Sequence, residues 1–509
     1  MTNKAVQRMQ LFARKNAAII FAVGLVLVSL SIANYIGWLR LKPEVSAVGW
    51  IADKPDYGSH LVNTYQRAME RAQGSKDSFL PIYDVQNPGF FLLVAELYTR
   101  AGATTPLPLE ITSIVLFDIG AICFFFWVYG LFSDLMVAAF GTAFLVLSQF
   151  FLFFPGVTHT FPYEFVFFNI TMLLYVLFLR SNKRIYLIGS LIAMFMACMN
   201  YWFYYMSSWI IMIGLWWQYR GRPRIRDVAM ISAPPIAAAG FTAIMVMALS
   251  GGVVAGFMRI AYIFVARTFD ARIPGGTWYP DQRFMTARDW LNYPSTVVSK
   301  LEWAYTFDFH WFAIAAVCAF FLLWFRNRQS LISALILLAG GFSWYYVMFQ
   351  HTHIHHFVGQ YSFMAICPIF GLIVSETISF TREALRRVST VGIELGDLAK
   401  QRPGMAKRES SVVINRARWA AGHIAIAVLL LVVDWQMAFP YAKHTYGLLR
   451  DTVQVSRTVE AKYQEAVQTI CREHPEITLA DLKAASKDWG FEWRPELITE
   501  TNRTPKCSG

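Results

Sequence analysis

The sequence predicts an all-α protein that crosses a membrane about eleven times, with long loops on one side. Two observations predict this. The chain has 509 residues, 56% of them hydrophobic and only 15% charged, less charge than a soluble chain of that size carries. The apolar residues also come in runs of roughly 17 to 23, the length that spans a bilayer core.

The runs can be taken in order. Lys4, Arg8, Arg14 and Lys15 precede the first, Asn16 to Trp38, and hold that end in the cytoplasm by the positive-inside rule. The run is too long for a signal-peptide core and lacks a small-residue cleavage site, so it reads as a retained helix. Residues 39–108 form a first long outer loop. The next runs are Leu109 to Gly130, Leu135 to Phe154, Glu164 to Leu179, Ile185 to Asn200, Trp202 to Gln218 and Val228 to Leu249. Residues 250–308 form a second outer loop, opening on an expected interfacial helix from Val253 to Ala266. Phe309 to Phe325, Leu331 to Phe349 and Phe357 to Ser375 follow.

The parts expected are a transmembrane core over 1–376, a basic cytoplasmic linker over 377–418, a last spanning helix over 419–436 and an outer α-helical region over 437–509. Basic loops such as Arg180 to Arg184, Arg220 to Arg226 and Arg326 to Arg328 all fall on the inner side. That distribution accounts for the net charge of +12 without nucleic acid, for which no motif is present. Four of six cysteines lie in apolar runs and read as small buried hydrophobes. Cys471 and Cys507 could pair if the tail faces an oxidising compartment. No P-loop, dinucleotide fingerprint, GxSxG or CxxC is present, which argues against nucleotide-driven chemistry. No inverted repeat suggests a secondary transporter.

The chemistry-bearing residues gather on the outer side. Gln350 to Phe357 holds four of the ten histidines, His351, His353, His355 and His356, between two apolar runs. Titratable rings at a membrane boundary point to function. An extended segment puts His351, His353 and His355 on one face, and a helical one pairs His351 with His355. Either could hold a metal through neutral imidazole or bond a phosphate; the plainer alternative is a polar cap on two helices. Asp56, four residues before His60 in Asp53 to His60, could act as a general base or be an ordinary solvated acid. Tyr83-Asp84 precedes Asn87-Pro88-Gly89. His159 precedes Glu164, which opens an apolar helix, either as a second functional carboxylate or as an acid favoured by the helix dipole. Arg259, Arg267, Arg272, Arg283, Arg288 and Lys300 line the second outer loop, and arginine's planar fork suits phosphate.

This layout resembles the GT-C superfamily of integral-membrane glycosyltransferases, most closely protein O-mannosyltransferases, lipid A aminoarabinose transferases and the rhizobial lipopolysaccharide galacturonosyltransferase group. The likeness covers roughly Asn16 to Ser375, judged by helix spacing. It rests on the first helix, an early acid in a long first outer loop, an acid in the next outer loop, and a late outer loop. Asp56-Tyr57-Gly58-Ser59-His60 and Tyr83 to Gly89 look like the family's first-loop acid and its downstream Asp-x-x-x-Pro segment. The resemblance implies a polyprenyl-phosphate sugar as donor and a glycan, lipid or protein of the cell envelope as acceptor. It implies Asp56 as the catalytic base and Glu164 as an acceptor-positioning or metal-binding acid. It places His60, Tyr83, Asp84, His159, Arg259, Arg267 and the four clustered histidines around the substrates. No cofactor is required by it; a divalent metal is the one candidate, at Glu164, His351 and His355. The separated pair Asp53 and Asp56 and the histidine run both depart from the family pattern. The rival readings are a flippase or transporter for a lipid-linked or anionic substrate, with Glu96, Glu110 and Asp118 to check, and a non-catalytic subunit of an envelope-assembly complex.

Overall fold

The structure is a computed structural model. It describes residues 3–40, 93–94, 97–98, 100–101, 107–153, 161–200, 202–249, 252–269, 285–354, 356–398, 421, 424–436 and 443. The described residues are almost wholly helical, with no strand among them.

The first half of the bundle contains α1 (Asn3–Arg40), α2 (Leu107–Phe132), α3 (Leu135–Val146), α4 (Gln149–Phe153), α5 (Phe161–Ser181), α6 (Arg184–Asn200), α7 (Phe203–Arg220) and α8 (Ile225–Leu249). The second half contains α9 (Val253–Phe269), α10 (Ala287–Leu291), α11 (Tyr293–Tyr305), α12 (Phe309–Arg326), α13 (Arg328–Gly341), α14 (Ser343–Val347) and α15 (Phe349–Ile354). A 3₁₀ segment (His356–Ser362) leads into α16 (Phe363–Leu398), and α17 is Ile424–Gln436.

Among the described residues, six helices are long and apolar enough to cross a membrane. The other expected spans are shorter or less apolar, and two of them are broken. The run from Leu135 splits into α3 and α4 at Ser148, whose hydroxyl donates to the Leu145 carbonyl at 2.6 Å and accepts from the Phe151 amide at 3.2 Å. Such side-chain bonds compete with the helical ladder. The run from Leu331 splits into α13, α14 and α15 after Gly340-Gly341, with the Ser343 hydroxyl donating to the Gly340 carbonyl at 2.6 Å.

Small residues bring helix backbones together where apolar burial gives little drive. A Cβ at Gly371 of α16 would lie 2.2 Å from the Val137 carbonyl oxygen of α3. One at Gly141 would lie 2.9 Å from the Cys367 carbonyl. Polar side chains supply a second kind of tie: Trp127 donates to Asn169 at 2.9 Å between α2 and α5, and the Tyr175 hydroxyl donates to the Met212 carbonyl at 2.7 Å.

Hydrogen bonds gather the basic loops at one end of the bundle. Arg180 reaches Ser133 at 2.5 Å, Arg220 reaches Asn182 at 2.6 Å, and Tyr219 donates to the Leu131 carbonyl at 3.1 Å. Gln218 donates to the Gln329 carbonyl at 2.7 Å, and Ser375 to Asp134 at 2.6 Å. Arg326 pairs with Glu376 at 3.0 Å. The loops that the charge rule grouped together therefore share one face, the basic end. The histidine segment lies at the other.

One expectation changes. The basic linker from 377 begins as helix: α16 has 36 residues, about 54 Å at 1.5 Å per residue, longer than a bilayer core. Its polar stretch stays helical through pairs one turn apart, Glu383 with Arg386 at 3.0 Å and with Arg387 at 2.9 Å. The last helix, expected to end on the side of the outer loops, is described over Ile424–Gln436. The helix expected from Val253 is present as α9, which exposes Val253, Val254 and Phe257 and folds back along α8.

Candidate functional site

At the histidine end, short helices replace long ones. The 3₁₀ segment is laid against α11 at backbone distance: a Cβ at Gly359 would lie 2.2 Å from the Lys300 carbonyl oxygen. Three tyrosine hydroxyls hold this region. Tyr305 donates to the Gln360 carbonyl at 3.1 Å, Tyr345 to the Val358 carbonyl at 3.2 Å, and Tyr293 to the Tyr345 carbonyl at 2.6 Å. Burial pushes the Tyr293 hydroxyl up to about 12 and raises Tyr305 well above its ordinary value. Both stay neutral donors at neutral pH.

Glu164 stands in the first turn of α5 and is fully buried. Phe161 and Phe168, three residues before and four after, share its helix face. Phe161 meets Tyr361 at 6.4 Å between ring centroids, and Phe168 meets Tyr204 at 5.1 Å. Phe203 stacks on Tyr361 at 4.3 Å. Trp344 packs edge-on against Phe203 at 5.7 Å and against Tyr361 at 5.8 Å. On the far side of this aromatic wall the Trp344 indole donates to His351 Nδ1 at 3.3 Å. The arrangement is a buried acid and an imidazole separated by aromatic rings packed in the core.

The helical alternative for the histidine run holds over Phe349–Ile354, and it divides the cluster. His351 faces Trp344. His353 faces α10, with Nε2 4.0 Å from Asp289 Oδ1. The other Asp289 oxygen accepts from the Thr286 amide at 2.8 Å and hydroxyl at 2.8 Å, and the Asp289 amide donates back to the Thr286 hydroxyl at 3.2 Å, which closes a capping box. His355 lies outside the described residues, and so does the side chain of His356.

Asp56, His60, Tyr83, Asp84 and His159 lie outside the described residues, as do Arg272, Arg283, Cys471, Cys507 and the side chain of Arg267. Arg259 is half-buried on α9, which packs on α8 and α15. Arg288 is exposed, whereas Lys300, expected in the same solvated loop, is only 4% exposed. Asp118, midway along α2, accepts from Asn34 of α1 at 2.9 Å.

Of the residues expected to hold a metal, Glu164 and His351 are described and His355 is not. His351 Nδ1 accepts the indole N–H, which leaves the ring proton on Nε2 and makes that nitrogen a donor. Glu302, Asp308 and His310 are the one group of three such ligands within 4.8 Å among the described residues; neither Glu164 nor His351 belongs to it. Even there, Glu302 already accepts the Phe309 amide at 3.2 Å and Asp308 the His310 amide at 2.9 Å.

Sequence reading missed Asp289, Trp344, Tyr361 and Gln360. For Asp289 the signal was present in Thr286-x-x-Asp289, a capping-box pattern. The others carried none, because buried aromatic residues and glutamines are common. Gln360 is 1% exposed, and neither atom of its amide meets a partner among the described residues.

No protein-family model matches the chain, and no curated protein matches it.

Proposed function

We propose that this chain is a GT-C-type membrane glycosyltransferase. It moves a sugar from a polyprenyl-phosphate donor to a glycan, lipid or protein acceptor of the cell envelope. In this reading the histidine end faces outward from a bacterial inner membrane, and the N-terminus is cytoplasmic. The observation that carries the proposal is Glu164: a fully buried carboxyl in the first turn of α5, on a helix whose Phe161 meets Tyr361, which packs with Trp344, the partner of His351. Buried acids inside a membrane protein cost too much to be retained without use.

The acceptor hydroxyl attacks the anomeric carbon of the sugar, and the bond from that carbon to the phosphate oxygen breaks. A carboxylate takes the hydroxyl proton, and the polyprenyl phosphate leaves as an anion. Asp56 is the base, by resemblance, and Glu164 orients the acceptor. The His351 Nε2–H and Arg259 meet the departing phosphate, where donors placed for developing charge act most strongly. A lipid phosphate leaves readily enough that no nucleotide is needed.

The test is transfer by the purified protein in proteoliposomes, scanned over polyprenyl-phosphate sugars with and without chelator. Product formation that Asp56→Asn abolishes at unchanged protein level supports the reading; near-normal turnover of that variant removes Asp56 as base. Asp118 is the observation that favours the transporter reading. If lipid-linked substrate crosses the bilayer without new glycosidic product, and Asp118→Asn stops it, that reading replaces this one.

A further inference from the structure

We propose that the basic end carries a binding surface for an anionic phospholipid, formed by Lys183, Arg184, Arg222 and Arg224 around exposed Ile185 and Ile225. These residues belong to two loops that are far apart in sequence. Arg220 joins them. Its guanidinium donates to Asn182 Oδ1 at 2.6 Å and to the Phe178 and Leu179 carbonyls at 2.9 and 3.3 Å, and it sits 4.8 Å over the Phe178 ring. Lys183 and Arg184 follow Asn182 directly, and Arg222 and Arg224 follow Arg220 by two and four residues. The four cations are thereby held on one patch, and all four are exposed.

The cations of these loops divide by what they do. Arg180 and Arg220 are spent on the fold. Arg226 lies 3.6 Å from Asp227, the one acid of the two loops. That acid is turned back on its own loop, accepting the Arg224 amide at 3.0 Å. Lys183, Arg184, Arg222 and Arg224 remain with no carboxylate among them.

The apolar neighbours fix the kind of anion. Ile225, between Arg224 and Arg226, is 85% exposed, and Ile185, beside Arg184, is 68% exposed. Trp217, at the end of α7, is 63% exposed, in the position that indoles take at a membrane interface. A free anion in water has no use for such residues. A phospholipid has use for both kinds: acyl chain against Ile185, Ile225 and Trp217, and phosphate against the guanidinium and ammonium groups. A zwitterionic headgroup brings its own cation to a patch already positive, so a net negative headgroup is selected.

The experiment is native mass spectrometry of the full chain in detergent with phosphatidylglycerol and phosphatidylcholine of matched acyl chains, each added alone and together, with inorganic phosphate as a third arm. Phosphatidylglycerol should be retained over phosphatidylcholine. The preference should fall about fivefold for each cation removed in Arg222→Gln with Arg224→Gln, and further when Lys183→Gln and Arg184→Gln are added. Arg386→Gln with Arg387→Gln on α16, whose guanidiniums already pair with Glu383, should leave it unchanged. The same preference in the unaltered protein should weaken as salt is raised, an arm that stands if a variant fails to fold. Equal retention of the two lipids, an undiminished preference in the fourfold variant, an equal loss in the α16 control, insensitivity to salt, or displacement by millimolar phosphate would each overturn the proposal.

Discussion

Trp344 holds His351: the indole Nε1 lies 3.3 Å from Nδ1, and the two rings meet edge to face at 85°. The indole has only a donor to offer, so the imidazole must accept at Nδ1 and carry its proton on Nε2.

Trp344→Phe keeps a ring against Phe203 and Tyr361 but removes that donor. His351 then loses its fixed tautomer, and the Nε2–H is no longer always presented. Donor affinity should fall by roughly 1 kcal/mol, the worth of one hydrogen bond. Binding of a polyprenyl-phosphate sugar to the variant measures it; unchanged affinity would mean that Nε2 does not meet the phosphate.

Glu164→Gln preserves shape and removes the charge. If the carboxylate orients the acceptor, transfer should drop by about 10²-fold or more while thermal stability holds. A variant that loses stability and keeps its turnover per folded molecule would make Glu164 a structural acid.

Gly371→Ala should be poorly tolerated. The added methyl would lie 2.2 Å from the Val137 carbonyl oxygen and 3.1 Å from the Gly141 amide nitrogen, atoms of a backbone that cannot swing aside. Overpacking of this kind costs about 1–3 kcal/mol, read as a lowered Tm in detergent. Gly24→Ala, with nothing within 4 Å of the new carbon, is the matched control and should not lower it.

Alkali should loosen the histidine end through Tyr293. Desolvation raises its folded-state pKa from 10.0 to about 12, so the folded state keeps the proton that the unfolded state gives up. The stabilisation is fully present below pH 10 and is lost as pH rises from 10 towards 12. Tyr293→Phe should be less stable at pH 8, having lost its bond to the Tyr345 carbonyl, and should fall less steeply above pH 10. Parallel melting curves for the two proteins across that window would refute the assignment.

Much of this architecture is legible without coordinates, because hydropathy and charge are properties of a short window. The membrane-spanning helices from Asn16, Leu109, Val228 and Phe309 follow from apolar length alone. The sharing of one end by Arg180, Arg220 and Arg326 follows from the charge rule. Windows fail where a helix is interrupted from within. Ser148 and Gly340-Gly341 look harmless inside apolar runs, and they break them because a hydroxyl or a missing side chain lets the backbone leave the ladder. Windows fail again at α16, where Ala384 is buried and Glu383 pairs with Arg386 and Arg387, so a stretch that reads as linker continues as helix.

The sequence by itself determined that the chain is rich in helices, some of them long and apolar enough to cross a membrane, and it grouped His351, His353 and Glu164 at one end of them. Only the tertiary structure decided what each of them meets. His351 and His353 are two residues apart, yet a helical turn sends one to Trp344 and the other to Asp289. Lys300 reads as a solvated loop cation and is buried because Gly359, about sixty residues on, lets two backbones touch. The direction of a side chain depends on the phase of its helix and on partners distant in sequence, and neither quantity is local.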